Sequence, residues 1–64
     1  MIDKKNINIM IVDDEPDMLK GTCLIFKSLG FNPIGVSNGK MAIELIRRDS
    51  FDLILCDLLM PEID

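Results

Sequence analysis

The stretch NINIMIVDDEP, residues 6–16, decides how the rest of the chain is read. Beyond Asn8 its first part is almost wholly apolar and rich in β-branched residues, as a strand covered on both faces is. Such strands belong to parallel sheets, whose crossover helices bury both surfaces. The run then breaks into Asp13, Asp14 and Glu15, and Pro16 follows. Proline suits the first turn of a helix, where its missing N–H is no loss, and Asp14 or Glu15 is placed to cap that turn. A strand over about residues 6–12 therefore hands over to a helix through an acidic corner.

Working outward, the helix expected over about 16–29 carries Leu19, Thr22, Cys23, Phe26 and Leu29 at three- and four-residue steps, which makes one buried stripe. Gly30 stops it in the position of a C′ glycine. FNPIGVS, residues 31–37, holds a short strand over about 32–37, and Pro33 points to an edge position. Ser37 or Asn38 caps a second helix over about 39–49. Its inner face is Ala42, Leu45 and Ile46, and Arg47 and Arg48 sit where the helix dipole favours cations. A third strand follows over about 52–56. Strands alternating with helices imply a parallel sheet with right-handed crossovers, here βαβαβ.

Sixty-four residues suffice for one small domain with a marginal core. The composition is that of a globular interior, 48% apolar and 28% charged, rather than of a disordered segment. A net charge of −4 argues against contact with a nucleic-acid backbone. The apolar run Ile9–Val12 is too short for a signal peptide core or a membrane span, and it ends in acids. Cys23 and Cys56 lie in apolar runs with neither CxxC spacing nor a histidine nearby. They read as reduced core residues of a soluble, cytoplasmic protein.

The segment FDLILCDLLMP, residues 51–61, places Asp57 among its most apolar residues. An ionised carboxylate buried there without a partner costs several kcal/mol or more, so it must surface at the strand end or meet a cation. In parallel α/β sheets chemistry gathers beyond the carboxyl ends of the strands. Asp13 and Asp14 follow the first strand, and Asp57 follows the third. If those strands are neighbours, about 4.8 Å apart, three carboxylates crowd one corner and repel. A divalent cation resolves the conflict, and Mg²⁺ takes one or two carboxylates together with waters and a phosphate oxygen. Each half has a plainer reading: acids before a helix often only cap it, and a lone Asp after a strand often only forms a turn. Their occurrence together at one edge carries the functional reading.

In this order and spacing, IMIVDDEP, VSNGKMAIELI and FDLILCDLLMPEID resemble the first half of a response-regulator receiver domain, from about Ile7 to Asp64. The resemblance implies a flavodoxin-like, doubly wound parallel sheet with strand order 2-1-3 in this half. It implies that Asp57 accepts a phosphoryl group as an acyl phosphate. Asp13 and Asp14 would hold Mg²⁺ (or Mn²⁺) with Asp57 and the backbone carbonyl of Leu59. The donor would be a phosphohistidine on a histidine kinase or phosphotransfer protein, and the chain itself contains no histidine. A complete receiver continues to a fourth strand bearing Ser/Thr and a fifth bearing Lys, both of which contact the phosphoryl group. The 64 residues thus read as a truncated receiver, with activity limited to metal-dependent self-phosphorylation and dephosphorylation at Asp57. The third strand would then present an open apolar edge, through which the chain pairs with a second copy or a complementing half.

The rival class is a non-catalytic assembly module working through that edge. A carboxylate-dependent phosphatase of another α/β type usually has a second Asp two residues after its nucleophile, where this chain has Leu59. A nucleotide-binding fold is disfavoured because DDEP replaces a glycine-rich phosphate loop after the first strand.

Overall fold

The computed structural model describes residues 3–57. At its centre is β1 (Ile9–Val12), in which no residue is more than 3% exposed. It pairs in parallel with β2 (Ile34–Val36) on one side and β3 (Leu53–Cys56) on the other, giving strand order β2-β1-β3. The crossovers are α1 (Pro16–Ser28) and α2 (Gly39–Arg48). This is the βαβαβ half of a flavodoxin-like sheet. No helix among the described residues is long and apolar enough to cross a membrane.

Register assigns the two faces. Met10 lies opposite Ile34 and Ile54, and Val12 opposite Val36 and Cys56. Met10, Val12 and Val36 share a face with buried Ala42, and Leu45 and Phe51 pack against them. By the two-residue period of strands, Ile9, Ile11 and Gly35 turn to the other face, under α1. A Cβ on Gly35 would stand 2.9 Å from Cys23 Sγ and 3.2 Å from Leu19 Cδ1, so glycine is what lets α1 lie this close to β2. Both helices pack on β1 and β2 but bury only β1 fully: Ile34 of β2 is 46% exposed, and Leu53 and Ile54 of β3, which neither helix reaches, are 43% and 41% exposed.

The helix ends show why these segments stop and start where they do. The Glu15 side chain accepts from the Asp17 N–H, with Pro16 in the first helical position. At α2, Asn38 Oδ1 accepts from the Met41 N–H at 2.8 Å. At the end of α1, Gly30 has φ +99°, its N–H donates to the Lys27 carbonyl, and the Phe31 N–H donates to the Phe26 carbonyl. This is a Schellman closure, completed by the Phe26 and Phe31 rings at 5.9 Å.

Several particulars differ from the sequence reading. β1 begins at Ile9, not near Asn6, because Lys4–Asn6 form a 3-10 turn capped by Asp3 Oδ1, which accepts from the Lys5 N–H. Asn8 is held by the loop before β3: its N–H donates to Asp52 Oδ2 and its Nδ2 to the Ser50 carbonyl. Leu29 and Ile46 are 53% and 45% exposed. No residue of α1 is buried: Leu19, Thr22, Cys23 and Phe26 form a stripe that is only half-buried, and Leu29 is the C-cap. The buried line of α2 runs through Gly39 and Ala42 to half-buried Leu45. Cys56 is exposed rather than in the core, since neither helix packs on β3.

Candidate functional site

The carboxyl ends of β1 and β3 bring three acids together. The Asp13 N–H donates to the Val36 carbonyl and the Asp57 N–H to the Val12 carbonyl, each at 3.1 Å. The ladder therefore runs one residue past each strand, which sets both backbone positions at one rim. Asp13 Oδ1 accepts from the Glu15 N–H at 2.9 Å, an Asx turn that bends the chain into α1. Asp13 and Asp57 are half-buried, and Asp14 is exposed.

One carboxylate oxygen from each of Asp13, Asp14 and Asp57 lies within 4.8 Å of the other two. Two oxygens bound to the same Mg²⁺ are at most about 4.2 Å apart, twice the metal–oxygen distance. With three ligands in octahedral positions at least two of the pairs must lie about 3 Å apart, so inward side-chain rotations of roughly 1 Å would bring all three onto one ion, and smaller ones if one acted through a bridging water. The donor set is all oxygen, hard and anionic, and it suits a hard divalent ion. The backbone carbonyl of Leu59, expected as a further ligand, lies outside the described residues, as does Met60-Pro61.

An open groove of about 410 Å³ leads from Asp13 and Asp57 between α1 and β3. Ile11 and Leu55 line it from the sheet, and Met18 and Thr22 from the helix. The sequence reading did not single out Met18 and Thr22 as neighbours of the site. Their four-residue spacing is the available signal, since it puts both on the side of α1 that faces the acidic rim. The groove opens beside Asp57. A carboxylate embedded in an apolar segment is thereby explained: Asp57 leaves the sheet at the strand end, beside the acids that follow β1.

Comparison with known proteins agrees with this geometry. Residues 9–64 match the family model described as "Response regulator receiver domain". The chain is 36% identical over 59 residues to the transcriptional regulatory protein ZraR of Escherichia coli K12, covering 92% of this chain and 13% of that protein. It is 42% identical over 66 residues to the two-component response regulator ARR22 of Arabidopsis thaliana, covering 98% of this chain and 46% of that one. A third relative is the DNA-binding response regulator MtrA of Mycolicibacterium smegmatis, 28% identical over 94% of this chain and 26% of that protein. The chain thus spans less than half the length of these curated relatives. No solved structure gives a significant match. With the family match running from the first residue of β1 through the acidic rim, the chain belongs to the response regulator receiver domain family.

Proposed function

We propose that the chain is a phosphoacceptor module of two-component signalling, with Asp57 as the residue that is phosphorylated. The observation that carries this reading is the convergence of Asp13, Asp14 and Asp57 on one rim within 4.8 Å. An oxygen of Asp57 attacks the phosphorus of a phosphohistidine on a histidine kinase or phosphotransfer protein. The O–P bond forms, the P–N bond breaks, and the departing imidazole takes up a proton from solvent. Asp13, Asp14 and Asp57, with the Leu59 carbonyl, would hold Mg²⁺ or Mn²⁺, which would supply charge neutralisation for the transferring group. Asp13 keeps its orientation through the bond from the Glu15 N–H, so one wall of the pocket is preorganised. The groove beside α1 admits the donor side chain. The product carries additional negative charge at the rim, which is the signal that a downstream surface reads. A cytoplasmic setting fits the free thiols of Cys23 and Cys56.

The test is incubation with a small phosphodonor and Mg²⁺, followed by intact mass. One phosphoryl adduct, lost in Asp57→Asn and on chelation, is the expected outcome. Adduct formation that survives Asp57→Asn would overturn the assignment.

A second reading rests on a different observation, the exposure of Leu53 and Ile54 along β3 with no strand on its outer edge among the described residues. No charged residue within Leu53–Cys56 guards that edge. In this reading the chain is a non-catalytic assembly module that pairs β3 with a second copy or a complementing half, and it forms no adduct in the same assay.

A further inference from the structure

The opposite rim of the sheet holds a contact that the acidic site does not explain. Lys4, in the turn before β1, sends its Nζ to the carbonyl of Leu29, 25 residues away, at 3.0 Å. Leu29 is the C-cap of α1, so this oxygen is one of the last carbonyls of the helix and sits at the negative end of its dipole. The same Nζ lies 5.5 Å from the centroid of the Phe31 ring. The aliphatic stem crosses Gly30: a Cβ built there would be 3.4 Å from Lys4 Cδ. One side chain thus makes a charge-assisted hydrogen bond, a cation–π contact and a packing contact on three successive residues of the Schellman turn.

We infer that Lys4 is a charge-dependent clasp that closes the C-terminal end of α1 onto the segment preceding β1. The flanking contacts give the clasp a firm base. Asp3 caps the turn that carries Lys4, the Ile7 N–H donates to the Lys4 carbonyl, and Asn8 is tied to Ser50 and Asp52 before β3. Residues 3–8 therefore bridge the end of α1 to the start of β3 across the amino-end rim of the sheet. With the cation in place, the α1–β2 connection opens only when this bridge releases. With the charge removed, that connection opens by itself, as a local unit of low stability. The clasp lies at the opposite rim from Asp13, Asp14 and Asp57, and the inference stands or falls independently of the phosphoacceptor reading.

Amide hydrogen exchange tests it, because the Gly30 and Phe31 N–H groups make the Schellman bonds that the clasp covers. In Lys4→Met, exchange at these two amides rises roughly fivefold while the β1 amides keep their wild-type rates. Lys4→Arg retains the cation and donors and stays near wild type. In the unaltered chain, raising salt accelerates the same two amides, and Lys4→Met loses that salt response. Equal exchange at Gly30 and Phe31 in wild type and Lys4→Met would overturn the inference. So would a salt response that persists in Lys4→Met, or a change spread evenly over β1.

Discussion

Replacing Asp14 by Asn puts the acidic rim to a quantitative test, because two effects of opposite sign separate cleanly. Its carboxylate has an oxygen within 4.8 Å of one on Asp13 and of one on Asp57. Asp14 is exposed, so the dielectric of water applies. Two unit charges at that separation repel by about 0.9 kcal/mol, which salt at physiological strength screens to about 0.5 kcal/mol. Two such pairs amount to about 1 kcal/mol. Against this stands the loss of one acid near the N-terminus of α1, about 0.3 kcal/mol. Without divalent ions, Asp14→Asn is therefore expected to stabilise the fold by roughly 0.5–1 kcal/mol. With Mg²⁺ the order reverses. A bound ion adds RT ln(1 + [L]/Kd), about 2.7 kcal/mol at a hundredfold excess over Kd, and the variant forfeits most of it. The assay is urea unfolding at fixed ionic strength, with chelator or with Mg²⁺. A variant less stable than wild type in chelator would refute the repulsion argument. Equal gains from Mg²⁺ in both proteins would refute the cation pocket.

Two further outcomes follow from the packing. Gly35→Ala pushes a Cβ against Cys23 Sγ and Leu19 Cδ1 and should cost about 1–3 kcal/mol in urea unfolding. In a Cys23→Ala background the cost should fall by at least a third, and strict additivity of the two changes would show that the contact is not the cause. Ile54→Lys places a charge on the open edge of β3, 41% exposed in the chain as it stands. Concentration-dependent association of the wild type by sedimentation should disappear in this variant. A wild type that remains one compact monomer at micromolar concentration would remove the basis for strand pairing.

The order of elements was legible because each boundary carries a local chemical signal. Pro16 opens α1 and Gly30 closes it at positive φ; Asn38 caps α2; Pro33 immediately precedes the edge strand β2. These residues act through their own backbone geometry or through bonds two or three positions away, so a linear reading finds them. Helix faces were less legible. Leu29 and Ile46 fit the apolar spacing of their helices, yet both are about half exposed. Periodicity marks an apolar stripe wider than the strip that meets the sheet, and only the docking angle selects which part is covered. Cys56 failed for a related reason: an apolar run says that a strand can be buried, not which of its edges and faces has a neighbour.

By itself, the sequence determined the βαβαβ order, the parallel sense of the sheet and the identity of the acids after the first and third strands. All three depend on local propensity, capping and the hydrophobic pattern along the chain. The order that puts β1 between β2 and β3 came from the family resemblance rather than from the residues' own pattern; the tertiary structure bears it out and brings carboxylate oxygens of Asp13, Asp14 and Asp57 within 4.8 Å of one another. It alone showed Glu15 rather than Asp14 as the cap of α1, and Lys4 reaching the carbonyl of Leu29. The reason is physical. Strand adjacency and contacts across tens of residues are set by how whole faces bury against one another, and no short window of sequence contains both partners.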